Sequence, residues 1–317
     1  MTQLADDISV IICAYTEDRW GDLVAAVKSV QQQTLPPREI IVVIDHNPRL
    51  LKRVQEQIQG VVVVENTQAR GAGGARNSGV AVAKGKIIAC LDDDAIAIPD
   101  WLMLLSQGFT NPRVLGVGGS ITPWWMGKRP SWFPEEFDWV VGCTFLGIPQ
   151  TVTTVRHLIG ANMSLRREVF DTVGGFRTEI GRVGTRLMSG EENELCIRAH
   201  QFWPQSVFLY RPQAGVFQCV PDKRATWSYF CSRCYAEGLS KAVIGRYVGV
   251  MSALATHGTT PLAYTFRTLP RGVVRGLADA LLHHDLTGLA RAGAIVAGLV
   301  ITTVGYIVGS AFFQLER

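Results

Sequence analysis

Three consecutive carboxylates, Asp92, Asp93 and Asp94, directly follow the apolar run at residues 86–91. If that run is a buried strand, the triplet lies at its carboxyl end, where open α/β sheets bind ligands. Strand alternation then directs Asp92 and Asp94 to the same side. A divalent cation and ligand phosphates relieve the repulsion between such neighbouring carboxylates. The triplet therefore predicts a nucleotide site with Asp94 and Asp92 as metal ligands, and an acidic turn is the alternative reading.

A glycine-rich basic run at residues 70–79 precedes the triplet. It does not complete the dinucleotide fingerprint, which argues against a dehydrogenase. The following Gly85-Lys86 does not complete a Walker loop either, because Ile87 follows it and Val80 stands where the leading glycine is needed. Its small residues permit close approach of a ligand, and Arg70 and Arg76 can bind ribose hydroxyls or phosphate oxygens. The alternative is a glycine-rich start of a helix.

A second acidic cluster, Glu191, Glu192 and Glu194, follows Gly190 at the start of a predicted helix. Carboxylates in a first helical turn gain about 0.3–1 kcal/mol from the helix dipole, which accounts for one or two of them. In a chain that already has a predicted metal site, the cluster indicates a catalytic base.

The elements that would position these side chains form a βαβ pattern, which predicts an α/β fold. Predicted strands cover residues 8–13, 39–44, 61–65, 86–91 and 114–121, and predicted helices cover 20–30, 48–58, 99–109 and 166–173. Residues 122–156 are rich in tryptophan and proline, which indicates either a closing lid with an acceptor platform or a packed loop.

Composition narrows the functional classes further. The net charge of +4 is carried by dispersed basic residues, so we expect no nucleic-acid partner. The seven cysteines are mostly single and in apolar surroundings, and Cys231 and Cys234 form an isolated C-x-x-C without a matching second pair. We therefore predict no redox role and, from the polar start of the chain, no signal peptide.

The carboxyl-terminal part contains a 22-residue stretch without charge, residues 292–313. One spanning helix needs about 20 residues, so we predict a single-pass membrane protein. Four arginines precede the stretch and one follows it, which places the catalytic part on the cytoplasmic side of the cell membrane. Gly305 and Gly309 form a short G-x-x-x-G, a weak indication of helix pairing and hence of a homo-oligomer. Residues 225–247 suit either a membrane headgroup boundary or core packing.

Taken together, residues 8–221 resemble a family 2 glycosyltransferase of the GT-A fold, a Rossmann-like mixed sheet flanked by helices. The resemblance is carried by residues 11–16, Asp45, residues 74–77, the triplet Asp92–Asp94, residues 160–162 and residues 190–192. It implies an inverting enzyme that uses a nucleotide-sugar donor. The domain boundaries we expect are 1–221 for the catalytic domain, 222–290 for an amphipathic or interfacial helical region, and 291–317 for a transmembrane helix with a short tail.

The resemblance also assigns roles to individual residues. It implies that Ala14, Tyr15 and Thr16, with Glu17 after them, cradle the nucleotide base and that Asp45 accepts a hydrogen bond from uracil. It places Arg76, Asp92 and Asp93 at the nucleotide, Asp94 on Mn2+ or Mg2+, and the family's Glu-Asp motif on Glu191 and Glu192. Two departures stand out: a glutamate replaces the usual aspartate base, and Gln218 stands where a histidine is often found.

The predicted reaction transfers a single sugar, since the later half has no Q-x-x-R-W-like motif of processive synthases. A carboxylate base is needed for a hydroxyl acceptor and is dispensable for a lipid phosphate, so we predict a hydroxyl of a lipid-linked or glycan acceptor. Trp124 and Trp125 can stack on its sugar. His157 is a candidate for acceptor binding, and the alternatives are that it faces the donor or is a satisfied loop histidine. The alternatives are a polyprenyl-phosphate glycosyltransferase, a sugar-nucleotide nucleotidyltransferase and an inactive membrane-tethered scaffold.

Overall fold

The structure is a computed structural model that describes residues 7–181, 188–249 and 263–312. Its strands are β1 (Ile8–Ala14), β2 (Glu39–Ile44), β3 (Val62–Glu65), β4 (Ile87–Asp92), β5 (Ala95–Ala97), β6 (Val114–Trp125), β7 (Thr153–Val155), β8 (Asn162–Arg166) and β9 (Val207–Val220). Its α-helices are α1 (Trp20–Gln31), α2 (Pro48–Gln57), α3 (Ala72–Val82), α4 (Trp101–Ser106), α5 (Arg167–Val173), α6 (Glu191–Phe202), α7 (Trp227–Val248), α8 (Leu269–Leu282) and α9 (Thr287–Phe312).

The strands described form a single mixed sheet in the order β3-β2-β1-β4-β8-β6-β9-β5, with β7 paired to β9. The first four are parallel, and β1, β2 and β4 are buried almost throughout because helices cover both faces. Continuous runs of isoleucine and valine are typical of strands that are covered on both faces. The predicted βαβ pattern is confirmed in this half of the sheet. The mixed α/β class predicted from the sequence is also confirmed.

The other half of the sheet was less predictable. β8 runs antiparallel to both β4 and β6, whereas β6 and β9 are parallel and shift register twice. β6 continues beyond the predicted end at residue 121 to Trp125, because its last residues pair with Phe217 to Val220 of β9. The predicted helix at 99–109 is shorter, since α4 ends at Ser106 and a 3-10 turn (Gln107–Thr110) follows.

The aromatic segment at 122–156 is packed rather than open. Phe133 is 1% exposed, and its ring lies 5.5 Å from Phe230 of α7 and 5.4 Å from Trp132. Trp132 also meets Trp227 edge to face at 5.1 Å. Such ring pairs add to the burial of their area, so this part of the segment is a core element between the sheet and α7.

The last helices pack on one another and on the sheet domain. α7 and α9 approach closely through small residues: a Cβ on Gly238 would overlap the Thr302 carbonyl, and one on Gly305 would overlap the Tyr235 carbonyl. Gly309 likewise faces Ala242. The G-x-x-x-G motif therefore lies at the contact between α9 and α7. In the predicted segment 225–247, Phe230 and Cys234 are buried, whereas Trp227 and Tyr247 are exposed.

α9 is the one helix within the described ranges that is long and apolar enough to cross a membrane. In the most apolar window of this helix, 33% of the residues are buried in the protein. The predicted tail at 313–317 lies outside the described residues, as does the part of the predicted interfacial region at 250–262.

Candidate active site

The carboxyl ends of β1, β2 and β4 meet at one edge of the sheet and open into a cavity of about 1040 Å³. Strand register fixes this meeting, since Cys13 pairs with Asp92 and Ala14 with Ile44. The backbone N–H of Asp45 donates to the Ala14 carbonyl at 2.8 Å, which joins the ends of β1 and β2. Parallel strands bring their following residues to this edge, as expected for a ligand site of an open α/β sheet.

Asp45 organises the loop that precedes α3. Its Oδ1 accepts from Asn66 Nδ2 at 2.7 Å, and its Oδ2 accepts from the Gly71 backbone N–H at 2.9 Å. Gly71 has φ +123°, a conformation that favours glycine, and it is the N-cap residue immediately before α3. Arg70 is exposed at the cavity wall and donates to the His46 carbonyl at 3.5 Å.

The predicted base-binding residues separate into two groups. Ala14 and Tyr15 line the cavity, and the Tyr15 ring is 51% exposed with the Arg19 guanidinium 5.3 Å from its centroid. Thr16 and Glu17 do not line it. Thr16 Oγ1 accepts from the Asp18 backbone N–H and caps a short 3-10 turn, and Glu17 faces Arg53 at 3.8 Å.

Three arginines, Arg76, Arg19 and Arg224, contact the acid triplet. Asp92 ends β4 and accepts from Arg76 Nη2 at 3.1 Å, whereas Asp93 and Asp94 lie in the turn before β5 and face Arg19 Nη1 at 2.9 and 3.1 Å. β4 ends at Asp92, so strand alternation does not extend to Asp94. All three residues nevertheless line the same cavity.

Asp94 is the most heavily engaged of the three. It is 4% exposed, accepts from the Gln218 side-chain amide of β9, and lies 3.3 Å from Arg224 Nη2. Asp93 is equally buried, and burial followed by the charge of Asp94 raises its pKa to about 7, although Arg19 opposes this shift. Its Oδ2 and the Gln218 Oε1 are buried atoms without a hydrogen-bond partner.

The chemistry of this donor set fits a divalent cation. Among the residues described, no cluster of three or more His, Cys, Asp or Glu side chains could hold a metal ion by itself. Mg2+ is commonly bound by one or two carboxylates together with substrate phosphates and water, so such a cluster is not needed. Asp92, whose side chain is 38% exposed, and Asp94 would supply hard oxygen ligands to such a cation, and the unpartnered Asp93 Oδ2 lies in the same cavity.

Arg76 connects the glutamates at the start of α6 to the acid triplet. Arg76 is 6% exposed, and its Nη1 donates to Glu191 Oε1 at 2.9 Å while Nη2 donates to Asp92. Burial alone would lower the pKa of Arg76, but the charges of Asp92 and Glu191 outweigh it and raise that pKa. Arg76 is thus a charged bridge between the acid triplet and the α6 cluster.

Glu192 also lines the cavity, and its carboxyl group lies close to the Glu191 carboxylate. Burial and then the neighbouring Glu191 carboxylate raise the pKa of Glu192 to about 8, although Arg76 partly opposes the shift. Glu194 has a structural role, since it is 1% exposed and accepts from Arg177 and Arg198 at 2.8 and 2.7 Å. The cluster therefore consists of one salt-bridged carboxylate, one with a raised pKa and one that anchors the helix.

The predicted acceptor residues are also split. His157 is 7% exposed and lines the cavity. Trp124 and Trp125 are at the end of β6 and do not line it; Trp124 is 53% exposed, and the Trp125 ring packs 5.3 Å from Phe133.

Several cavity residues have no local motif that would have revealed them in the sequence. They are Arg19, Gln218 as a partner of Asp94, Arg224, Arg233, Lys241 and Tyr306. They come from the start of α1, from β9 and from helices far along the chain, and only the folded arrangement brings them to the acid triplet. Gln218 was noted only as a departure from a family pattern.

The mixed sheet and the acid-lined cavity at its edge define a GT-A glycosyltransferase. The profile described as Glycosyl transferase family 2 matches residues 9–174. The chain is 35% identical over 241 residues, 75% of its length and 77% of the relative's, to a glucosyl-dolichyl phosphate glucuronosyltransferase of Haloferax volcanii. The chain belongs to glycosyltransferase family 2 and is a glycosyltransferase of the hexosyl-transferring class.

Solved structures support the fold. A mannosyltransferase of Pyrobaculum calidifontis, solved with GDP-Man and Mn2+, aligns with TM-score 0.56 and 18% identity over 93% of this chain and 86% of that one. GalNAc-T7, solved with UDP, GalNAc and Mn2+, aligns with TM-score 0.51 and 21% identity over 68% of this chain and 43% of that one. The sequence-based recognition of the family and the fold is confirmed.

Proposed function

We propose that this protein transfers a single sugar from a nucleoside diphosphate donor, a UDP-sugar, to a hydroxyl group of a lipid-linked glycan, with inversion at the anomeric carbon. The observation that carries the proposal is the Arg76 bridge, 2.9 Å from Glu191 and 3.1 Å from Asp92. It joins the nucleotide edge of the sheet to the predicted base cluster within one cavity. Donor and acceptor can therefore meet there.

The donor is proposed to lie along the edge formed by Ala14, Tyr15 and Asp45, with its diphosphate near the acid triplet. Bound by Asp94 and Asp92, Mn2+ or Mg2+ would supply positive charge that neutralises the leaving diphosphate. The chain also supplies its own cations at this position. Arg19 and Arg224 contact the triplet and line the cavity, so they can stabilise charge on the departing phosphate oxygens.

Glu192 is the proposed general base. A hydroxyl acceptor must lose its proton as it attacks, and a carboxyl with a pKa near 8 can accept that proton at close to neutral pH. Glu191 is the less suitable base, because its carboxylate is already neutralised by Arg76 at 2.9 Å. Glu191 instead positions Arg76, and Arg70 and Asp93 complete the proposed donor site.

The acceptor class is proposed from the Haloferax relative, whose name describes glucuronosyl transfer to a glucosyl-dolichyl phosphate. The acceptor of that relative is a sugar joined to a lipid through phosphate, so the attacking group is a sugar hydroxyl. This agrees with the need for a base at Glu192. We retain His157 as a proposed acceptor contact, since it lines the cavity; Trp124 and Trp125 could reach an acceptor only outside it.

We propose that residues 1–221 carry donor binding and that the later helices hold the protein at the membrane, with the catalytic domain on the cytoplasmic side. Exposed apolar side chains support a lipid contact: Leu281 and Leu282 at the end of α8 and Leu286 just before α9 are 76%, 73% and 74% exposed. Arg271 and Arg275 are also exposed on α8, and arginines near a membrane surface attract anionic lipids.

The sequence predicted that α9 crosses the bilayer once. The surroundings of its three faces are relevant to this prediction. One face of α9 contacts α7, a second lines the cavity with Thr302, Thr303 and Tyr306, and a third exposes Val296, Val300, Val304 and Ile307. A crossing would place the charged cavity at hydrocarbon depth, where ionised groups are costly. We therefore propose that α9 lies along the membrane surface with its third face in the lipid.

The proposal is tested by incubating the purified full-length protein with a panel of nucleotide sugars, Mn2+ and a glucosyl phosphate carrying an alkyl chain. Release of UDP together with a disaccharide product supports it. Transfer to an alkyl phosphate without the sugar would instead identify a polyprenyl-phosphate glycosyltransferase. Release of pyrophosphate from a nucleoside triphosphate and a sugar phosphate would identify a nucleotidyltransferase.

A further inference from the structure

We infer that α7 provides the subsite that binds the phosphate of the acceptor, through Arg233 and Lys241. The inference rests on the proposed function, because it assumes an acceptor whose sugar is joined to a lipid by a phosphodiester. It adds residues from a region that sequence patterns assigned to the membrane boundary or to core packing. It also gives the cavity two anion-binding ends, one for the donor diphosphate and one for the acceptor phosphate.

The first observation is the direction of the charged side chains on α7. Arg233, Glu237 and Lys241 are spaced four residues apart, so they lie on one face of the helix, and all three line the large cavity. Arg233 is 5% exposed, and the side chains of Glu237 and Lys241 are each 21% exposed. Charged groups this deeply placed are costly unless they are paired or serve a ligand.

The second observation is their connection to the base. Arg233 Nη2 donates to the Ser189 hydroxyl at 3.4 Å, and that hydroxyl donates to Glu237 Oε2 at 3.5 Å. Ser189 is followed by Gly190 and then by Glu191 at the start of α6. The charged row on α7 is therefore attached to the loop that leads into α6, the helix that carries the proposed base.

The third observation is the chemistry of the α9 residues that line the same cavity. α9 contributes Thr302, Thr303, Tyr306 and the apolar Leu299, and Leu269 of α8 also lines the cavity. The Tyr306 hydroxyl can donate to a sugar or phosphate oxygen. The Thr302 and Thr303 hydroxyls donate to the Gly298 and Leu299 carbonyls at 2.8 Å, so toward a ligand they act as acceptors for a sugar hydroxyl. The leucines can contact the first carbons of a lipid chain. An amphipathic acceptor fits such a mixed lining better than a free sugar does.

The balance of charge favours a monoanion. Arg233 and Lys241 carry two positive charges and Glu237 carries one negative charge, with Lys241 Nζ 3.6 Å from Glu237 Oε1. The row therefore has one excess positive charge, which matches the single negative charge of a phosphodiester. Glu237 can hold Lys241 in place and accept a hydrogen bond from an acceptor hydroxyl.

The test compares two acceptors that differ only in the phosphate. One is glucose joined through phosphate to a ten-carbon alkyl chain, and the other is the corresponding decyl glucoside. Binding of each to the full-length protein in detergent is measured by calorimetry, and KM and kcat are measured for transfer. The variant is Lys241→Met, which keeps the length of the side chain and removes its charge. Lys223→Met, an exposed lysine that does not line the cavity, is the matched control.

We expect Lys241→Met to raise Kd and KM for the phosphate compound about tenfold, as for the loss of a hydrogen bond to a charged group. The same substitution should change Kd for decyl glucoside less than twofold, and Lys241→Arg should restore much of the phosphate preference. Equal losses for the two compounds, or no loss for either, would overturn the inference. Binding by a short-chain phosphatidylglycerol as tight as that of the phosphate acceptor would also overturn it, because the site would then serve bilayer headgroups.

The binding measurement separates this inference from the proposed function. If neither compound receives a sugar but the phosphate compound binds in a Lys241-dependent way, the subsite stands and the proposed transfer to a hydroxyl is refuted. If both compounds receive a sugar and the phosphate makes no difference, the transfer stands and the subsite is refuted.

Discussion

The buried guanidinium of Arg76 donates to Glu191 at 2.9 Å, so one of the two adjacent glutamates at the start of α6 is part of an ion pair. This contact distinguishes Glu191 from Glu192, which have the same chemistry and are neighbours in the sequence. It supports the proposal that Glu191 positions Arg76 and that Glu192 is the base. The predictions below begin with this distinction.

Replacing Glu192 with Gln removes the proposed base while keeping the shape of the side chain. We expect transfer to fall by about 100- to 10,000-fold, the usual contribution of a general base, while UDP still binds. Turnover and UDP affinity are measured side by side. Glu168→Gln, at an exposed glutamate of α5, is the control for the substitution itself. Parental turnover in Glu192→Gln would refute the assignment of the base.

The raised pKa of Glu192 predicts how the rate depends on pH. A base must be deprotonated to act, so kcat/KM should increase as pH rises and level off above a pH of about 8. Asp93, whose pKa is raised to about 7, titrates in the same cavity. The profile is therefore also measured in Asp93→Asn, where we expect the step near pH 8 to remain. A flat profile between pH 6 and 9 in the parental enzyme would contradict the prediction.

Replacing Asp94 with Ala should abolish metal-dependent UDP binding and transfer. The change removes a proposed metal ligand and also leaves Arg19 and Arg224 without the carboxylate that they contact. Titration of UDP with and without Mn2+ measures the effect. Asp171→Ala removes an exposed aspartate of α5 and should leave metal-dependent binding intact. If Asp94→Ala still binds UDP only when Mn2+ is present, the metal is held elsewhere.

Two glycines of α9 provide a matched test of helix packing. A Cβ at Gly305 would overlap the Tyr235 carbonyl, whereas a Cβ at Gly293 would meet nothing within 4 Å. We expect Gly305→Ala to lower the free energy of unfolding by about 1–3 kcal/mol, typical of overpacking. Gly293→Ala should raise it by up to about 1 kcal/mol, since alanine favours a helix. Thermal unfolding in detergent measures both, and equal midpoints would argue that α7 and α9 separate in solution.

A peptide tag fused after Arg317 reports the path of α9. If α9 lies along the membrane surface, the tag and the catalytic domain should be accessible to antibody from the same side of sealed vesicles. A crossing helix would place them on opposite sides. A second tag on the amino terminus marks the catalytic side, and detergent permeabilisation checks that both tags can be detected.

The sequence alone determined the fold class and the edge of the sheet at which the site lies. Buried parallel strands need continuous apolar runs, so β1, β2 and β4 were evident, and Asp45 and Asp92 marked their carboxyl ends. The family could also be recognised, because its motifs are short and local. These features depend on residues that are close together in the sequence, so they can be recognised without the structure.

Only the tertiary structure decided which charges meet. Arg76 and Glu191 are 115 residues apart, Asp94 and Arg224 are 130 apart, and no local pattern relates them. The same holds for α9, whose composition is that of a membrane span but whose glycines lie against α7 and whose polar side chains line the cavity. Hydropathy shows that a helix favours an apolar environment, but it does not distinguish lipid from the interior of the protein. The contacts of the folded helix are needed to make that distinction.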